Sequence, residues 1–340
     1  MKKILLFKIP MSICNFRCNY CYIAQRPVHF QGVQPEFRYT PTQIAEALSV
    51  KRLGGPCFMN FCADGETLLT KNLDSYVKAL VEQGHYAEVV TNLSITEALE
   101  KFLTWDREPL RRLEFKCSFH YLELKKKGWL KRFADNVQKI WDAGASANIE
   151  LAPSDELVPF IDEIKEFSMK NFGALPHLTI LRNDRTDSID YLTNMSDDEY
   201  TGTWRQFSSE FWDFKRTLFG VQQRGFCYAG AWSAYIDLTT GEASGCYGHV
   251  NLGNVFAHPE KPFPEKAVGH CPSAHGYNGH ALLSMGLIPH LNNIHYGQLR
   301  DRQKTDGGTW LQPELRQFFD GKLENSNDEY SAARKAVSPC

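Results

Sequence analysis

The chain has 340 residues, of which 43% are hydrophobic and 13% aromatic, which is enough apolar material for one large core or for a core with a smaller attached module. The formal net charge of −2 argues against a generally basic surface, and we expect no nucleic-acid partner. No apolar run approaches the roughly 20 residues that span a bilayer, so we expect no membrane segment.

The first hydrophobic run, over residues 4–9, predicts a buried strand rather than a signal peptide. Lys8 interrupts this run, Pro10 ends it, and no small-residue cleavage site follows. A strand this early leaves no room for an N-terminal domain that binds a leader peptide. Because no export signal is present, we expect a cytoplasmic protein, in which metal binding explains clustered cysteines better than disulfides do.

Strand-like and helix-like segments alternate through the first half of the chain. The segment Thr40-Pro41-Thr42-Gln43 predicts a helix start, with an N-cap, a proline at the first helical position and a capping-box glutamine. Six strand–helix units with short connections predict an α/β fold, a partial (β/α)6 barrel built on a parallel sheet. The predicted strands cover residues 4–9, 58–62, 86–91, 112–119, 146–151 and 177–181, and further helices cover 73–83, 95–103, 129–143 and 155–171.

The composition changes after residue 220, where Gly, His, Asn, Pro and Cys become frequent and the helical periodicity is lost. We therefore predict a barrel over residues 1–220, a small loop-rich module with cysteines over 221–300, and a partly mobile C-terminal extension over 301–340. Within the extension, residues 313–319 have an amphipathic pattern.

Three cysteines follow the first predicted strand with the spacing C-x3-C-x2-C: Cys14, Cys18 and Cys21. A loop of this length can bind three irons of a 4Fe–4S cube and leave the fourth iron for a small molecule. A zinc site is the alternative, but it needs a fourth ligand nearby, and the nearest candidate, His29, lies eight residues further on in a Pro-rich loop.

This cysteine motif, with an aromatic residue before the last cysteine, resembles the signature of the radical S-adenosylmethionine (radical SAM) superfamily. The resemblance covers about residues 1–190 and implies the partial barrel of that family, with its chemistry at the carboxyl ends of the strands. It implies that an external one-electron donor, such as flavodoxin or ferredoxin, reduces the cluster. S-adenosylmethionine is then split, and the 5′-deoxyadenosyl radical abstracts a substrate hydrogen.

The resemblance also implies cofactor-binding residues. Gly65 and Glu66 match the Gly-Gly-Glu-Pro motif that holds the methionine amino group, whereas Asp64 and Thr67 depart from it. Outside this context the segment would be an ordinary turn between a strand and a helix. The remaining candidates are Asn92 after strand three, Ser118 at the end of strand four, and Tyr20, which is expected to contact adenine through its backbone. Asn and Ser also cap helices, so capping is the alternative role of Asn92 and Ser118.

A second group consists of Cys227, Cys246 and Cys271. Residues 237–241 predict a hairpin turn that brings the first two together. The pattern resembles a shortened SPASM module, the twitch form, which holds one auxiliary iron–sulfur cluster; a structural zinc site remains the alternative. The fourth ligand stays open between His270, His275, Cys340 and no protein ligand.

Two more cysteines, Cys62 and Cys117, lie near the ends of predicted strands. Most buried cysteines behave as small hydrophobic residues. If either faces the mouth of the barrel, it could return a hydrogen atom to a substrate radical, as an epimerase requires.

The sequence therefore predicts an oxygen-sensitive radical SAM oxidoreductase, epimerase or cyclase that dehydrogenates, epimerises or crosslinks its substrate. That substrate is a small polar molecule, for example a sugar-like one, or a short peptide. Two alternatives stay open. One is a maturase that activates a partner protein through the same radical, and the other is a non-catalytic iron–sulfur or zinc protein.

Overall fold

The computed structural model describes residues 1–26, 31–185, 190–247, 249–271, 280–289 and 294–337. The strands are β1 (Ile4–Ile9), β2 (Phe58–Ala63), β3 (Tyr86–Thr91), β4 (Leu113–Ser118), β5 (Ser146–Leu151), β6 (His177–Leu178), β7 (Arg182–Asn183), β8 (Asp190–Tyr191), β9 (Ser233–Asp237), β10 (Glu242–Cys246) and β11 (His249–Asn254). The helices are α1 (Tyr22–Gln25), α2 (Pro41–Ala47), α3 (Val50–Leu53), α4 (Leu73–Val81), α5 (Thr96–Leu103), α6 (Arg107–Leu110), α7 (Tyr121–Lys127), α8 (Leu130–Ala143), α9 (Ile161–Phe172), α10 (Asp197–Trp204), α11 (Glu210–Leu218), α12 (His280–Ser284), α13 (Tyr296–Arg300), α14 (Pro313–Asp320) and α15 (Ala332–Ala336).

One nine-stranded sheet organises the chain, with the order β11-β10-β9-β1-β2-β3-β4-β5-β6. Strands β1 to β6 are parallel neighbours in sequence order, and helices connect most of them. This arrangement confirms the predicted α/β partial barrel with six parallel strands. The carboxyl ends of all six strands meet at one rim, where ligands bind in such sheets.

The two faces of the sheet differ in burial. Along β1 and β2, fully buried residues alternate with half-buried ones, for example Phe7 with Lys8 and Phe61 with Cys62. The buried set, here called the outer face, belongs to the main hydrophobic core together with residues of the surrounding helices. The half-buried set forms the inner face, which therefore stays partly accessible near the rim.

Helix α14 covers the inner face where β2 and β3 begin. Phe319 packs edge-on against Phe58 at the start of β2, with ring centroids 5.1 Å apart. Phe318 stacks on Tyr86 at the start of β3 at 3.7 Å. The half-buried inner-face residues Lys8, Cys62 and Ser118 lie toward the opposite end, where the strands finish.

A layer of buried charged side chains lies on the inner face between the α14 contact and the rim. The guanidinium of Arg300, at the end of α13, contacts carboxylates from three neighbouring strands: Glu88 at 2.8 Å, Glu150 at 3.8 Å, and Glu114. Glu150 also pairs with Lys116 at 3.2 Å and Lys215 at 3.0 Å. Three basic and three acidic side chains therefore form one cluster in the middle of the barrel.

Two predicted elements differ from the structure by three or more residues at one end. The sixth strand, predicted over residues 177–181, ends at Leu178. The helix predicted over residues 155–171 begins as a 3-10 helix, Asp155–Phe160, and becomes α-helical only at Ile161. Pro159 explains this, because it lacks the backbone N–H that an α-helix would need there.

Strands from the predicted second segment extend the same sheet. Strand β9 pairs in parallel with β1, from Ile4 opposite Ser233 to Lys8 opposite Asp237. The predicted hairpin is confirmed, since β9 and β10 are antiparallel and Asp237 Oδ1 accepts from the backbone of Thr239 and Thr240. The boundaries at residues 220 and 300 stay predictions. In the described part of the chain, no helix is long and apolar enough to cross a membrane.

Candidate functional site

The three cysteines of the first group lie in the loop between β1 and α1, at the rim. All three are half-buried. Burial raises the pKa of the Cys18 thiol to about 12, a hydrogen bond from Tyr20 opposes this, and the neighbouring Cys14 and Cys21 thiols raise it further. Burial likewise raises the pKa of Cys14. The thiols therefore share one electrostatic neighbourhood, and a bound cationic centre would deprotonate them.

Three thiols on one short loop are a donor set that an iron–sulfur cube can use. Over the described ranges, no group of three or more Cys, His, Asp or Glu side chains is arranged to hold one metal ion. In a 4Fe–4S cube each thiolate binds a different iron, so three ligands at separate corners need not converge on a point. Three thiols without a fourth ligand are thus compatible with such a cube.

The Gly65–Glu66 turn is in direct contact with the cysteine loop. The backbone N–H of Glu66 donates to the carbonyl oxygen of Ile13 at 2.9 Å, immediately before Cys14. A Cβ atom on Gly65 would lie 2.2 Å from that oxygen, so only glycine permits this approach. The two motifs that the resemblance links therefore lie side by side.

The carboxylate of Glu66 is turned into the protein. It is 2% exposed and accepts hydrogen bonds from the Thr91 hydroxyl, the Asn92 backbone at 2.8 Å and the Leu68 backbone at 3.0 Å. Burial raises its pKa, and the hydrogen bonds oppose that effect. The side chain thus ties the end of β2 to the end of β3, and the cofactor contact predicted for Glu66 would be made by the backbone.

Replacing Gly65 by alanine tests this contact. The added Cβ must displace the Ile13 carbonyl and with it the cysteine loop, and misplacement by about 1 Å can reduce a reaction about a hundredfold. We expect a loss of that order in reductive cleavage of S-adenosylmethionine, measured as 5′-deoxyadenosine. Gly202→Ala is the control, because nothing lies within 4 Å of its Cβ position. Equal activity of the two variants would contradict the prediction.

The remaining predicted cofactor residues also lie near the rim. Asn92 is 4% exposed, and its Nδ2 donates to Asn15 Oδ1 at 2.9 Å, within the cysteine loop. Ser118 is half-buried at the end of β4, on the inner face. The Tyr20 hydroxyl lies 2.9 Å from His120 Nδ1.

His120 is a residue that the sequence reasoning missed. Burial lowers its pKa to about 4, so the ring is neutral at pH 7. It contacts Phe16 of the cysteine loop edge-on, at 5.9 Å between ring centroids. Its position two residues after Ser118, just past a strand end, is the signal that could have identified it.

The two cysteines considered as hydrogen donors lie on opposite faces. Cys62 is half-buried on the inner face, opposite Lys8 of β1. Burial raises its pKa to about 12, and the charge of Asp64 adds to this. Cys117 is fully buried in the outer core, and its thiol donates to the carbonyl oxygen of Phe115 at 3.3 Å. Only Cys62 is therefore placed to face a molecule inside the barrel.

Lysines on the inner face were also missed. Lys8 lies 3.8 Å from Asp64, and the Lys116 side chain is 19% exposed and pairs with Glu150. A lysine within a strand of an otherwise apolar parallel sheet is an informative signal, because such strands are usually hydrophobic on both faces. Both residues give the accessible inner face a polar character.

The second cysteine group is brought together at the far edge of the sheet. Cys227 and Gly269 exchange two backbone hydrogen bonds of 2.8 and 2.9 Å, two residues before Cys271. Burial raises the pKa of Cys246 to about 12, and the neighbouring Cys227 and Cys271 thiols raise it further. Among the candidate fourth ligands, His270 is exposed, with its ring 6.2 Å from that of Phe226. His275 and Cys340 lie outside the described residues.

Comparison of the structure with solved structures identifies the fold. The similarity to native anSMEcpe with bound AdoMet has a TM-score of 0.53 at 14% identity, covering 75% of this chain and 78% of that one. For native anSMEcpe with AdoMet and the Kp18Cys peptide the TM-score is 0.54 at 14% identity, covering 76% and 78%. For SuiB from Streptococcus suis it is 0.48 at 12% identity, covering 79% and 67%.

At the level of sequence, no family model matches the chain, and no curated protein matches it significantly. The structural similarity to anSMEcpe with bound AdoMet therefore defines the fold. The chain has the fold of that AdoMet-bound structure. The cysteine loop lies at the rim of this fold, against the Gly65–Glu66 turn.

Proposed function

We propose that this protein is a radical SAM enzyme whose cysteines Cys14, Cys18 and Cys21 hold a 4Fe–4S cluster. Reductive cleavage of S-adenosylmethionine at this cluster supplies a 5′-deoxyadenosyl radical that abstracts a hydrogen atom from the substrate. The observation that carries this proposal is the contact of the Gly65–Glu66 turn with the cysteine loop at the strand ends. A non-catalytic iron–sulfur protein has no need for that contact.

The residues of the chain bind and orient the cofactor. In this proposal the backbone of Gly65 and Glu66 holds the methionine end, while Asn92, Ser118 and Tyr20 line the rest of the site. The half-buried position of Ser118 leaves it accessible from the inner face. Fixing the cofactor against the substrate in this way is the main contribution that the protein makes to a radical reaction.

The substrate is proposed to bind on the inner face, between the rim and the charged layer around Arg300. Polar groups there, including Lys8, Asp64 and Lys116, suit a polar molecule or a peptide. The structure of anSMEcpe with AdoMet and a peptide supports a peptide as one substrate class. Cys62 faces the same space, which favours it as the donor of a hydrogen atom if the product is an epimer.

Cys227, Cys246 and Cys271 are proposed to hold an auxiliary cluster. Their mutual electrostatic influence supports a shared centre. An external one-electron donor, such as flavodoxin or ferredoxin, would supply the electron for cofactor cleavage. Exposed cluster thiolates are easily oxidised, so a reducing compartment such as the cytoplasm suits the proposal.

Anaerobic reconstitution with iron and sulfide tests the proposal. We expect 5′-deoxyadenosine and methionine to form when dithionite and S-adenosylmethionine are added. Two clusters require about eight irons per chain, and one requires about four. Protein that binds only zinc, or that binds iron but never cleaves the cofactor, would contradict the proposed enzyme; the second result would favour an electron carrier.

A further inference from the structure

We propose that Asn92 is a positioning residue that donates a hydrogen bond to the Cys14 thiolate and thereby raises the midpoint potential of the bound cluster. This inference rests on the proposed function. The Nδ2 atom of Asn92 lies 3.9 Å from Cys14 Sγ, within reach of the large sulfur acceptor. Its second hydrogen is used by Asn15 Oδ1 at 2.9 Å, so both donors of this amide point into the cysteine loop.

A closed ring of hydrogen bonds fixes the orientation of the Asn92 amide. Asn92 donates to Asn15, Asn15 Nδ2 donates to Ser94 Oγ at 2.7 Å, and Ser94 Oγ donates to Asn92 Oδ1 at 2.6 Å. The Ser94 backbone N–H also donates to Asn92 Oδ1, at 3.1 Å. Asn92 and Ser94 are 4% and 3% exposed, so water competes little with this ring.

The backbone between these residues adopts an unusual conformation that supports the ring. Leu93 has φ of 56°, in the left-handed region that branched side chains avoid. Its N–H donates to Thr91 Oγ1 at 2.9 Å, and its carbonyl accepts from Asn136 Nδ2 at 2.9 Å. Backbone strain that neighbouring groups stabilise, as at Leu93, often occurs at functional sites. Here the Leu93 conformation directs the side chains of Asn92 and Ser94 toward the cysteine loop.

The effect on the cluster follows from charge. The reduced cluster carries one more negative charge than the oxidised one, and an N–H dipole directed at a ligand sulfur stabilises the reduced form. Hydrogen bonds to the sulfurs are among the factors that set cluster potentials. Asn92 would therefore act before any cofactor binds, by making the cluster easier to reduce.

The test is a redox titration of the reconstituted cluster, followed by electron paramagnetic resonance without S-adenosylmethionine. Asn92→Ala removes the donor, and we expect the ratio of reduced to oxidised cluster at fixed potential to fall about tenfold, a shift of about 59 mV to more negative values. If Asn92→Ala loses its iron, Asn92→Asp is used instead, because it removes the donor but keeps the oxygen that accepts from Ser94. The midpoint potential of the cluster in Asn92→Asp should fall by at least as much as is expected for Asn92→Ala. Asn19→Ala is the control, because the Asn19 amide donates to Glu156 and not to a thiol.

The outcomes separate the two proposals. A wild-type protein without a 4Fe–4S signal would overturn the proposed function and this inference together. A normal wild-type signal whose potential is unchanged in Asn92→Asp would overturn the inference alone. An Asn19→Ala shift as large as that of Asn92→Ala would also overturn it, since the effect would then belong to the whole loop.

Discussion

The triple variant Cys14→Ala/Cys18→Ala/Cys21→Ala is expected to form no 5′-deoxyadenosine, whereas the wild-type protein forms it under the same reducing conditions. These thiols are the only protein ligands proposed for the first cluster, and each of them binds one of its three protein-bound irons. Iron content should fall by about four atoms per chain and leave about four in the auxiliary cluster. Product is measured by chromatography and iron by colorimetry on the same samples.

Cys57→Ala is a suitable control for loss of a thiol. Cys57 is fully buried, its Sγ donates to Gly55 O at 3.3 Å, and it lies before β2, at the opposite end of the strands from the rim. This variant should keep both iron and activity. Continued product formation by the triple variant would show that the cofactor is cleaved elsewhere, and the assignment of the first cysteine group would then be wrong.

The sequence predicts most of the barrel because its signals are local. The run over residues 4–9 is one strand with the predicted bounds, and the capping box at Thr40 is present. The helix predicted over residues 155–171 was wrong at its start because Pro159 outweighs the amphipathic pattern of the segment. The fold of the chain after residue 220 is harder to predict from the sequence, because the pairing of β9 with β1 joins residues more than 200 positions apart.

The site was predictable only in part, for a related reason. Spacing and order along the chain pointed to the cysteine loop and to the Gly65 turn, which the structure places in contact. Sequence cannot show which way a side chain points, so it does not predict the inward carboxylate of Glu66, and it leaves open whether Cys62 or Cys117 faces the barrel. Arg300 was missed because its partners lie 150 or more residues away, on three strands.

Arg300→Met is expected to lower the free energy of unfolding by about 3–5 kcal/mol, the usual effect of removing one partner from a buried ion pair. The Arg300 side chain is fully buried, and it is the cation nearest to Glu88 and Glu114. Burial already raises the pKa of Glu114 to about 7 although Arg300 opposes this. Without Arg300 these carboxylates remain in the barrel interior without their nearest compensating charge. Urea denaturation at pH 7 measures the difference from wild type.

The pH dependence of that loss identifies its cause. In Arg300→Met the folded-state pKa of Glu114 should lie further above the unfolded value of about 4.3 than it does in the wild type. A raised folded pKa gives stability that is present below the unfolded pKa and lost as pH rises through the folded one. Because the folded-state pKa of Glu114 is already about 7 in the wild type, the deficit should be larger near pH 9 than at pH 7, and Glu114→Gln in the same chain should recover part of it. Arg316→Met removes a partly exposed ion pair with Asp301 and should cost at most about 1 kcal/mol at either pH. An Arg300→Met deficit no larger than that, or one independent of pH, would show that the buried carboxylates do not depend on Arg300.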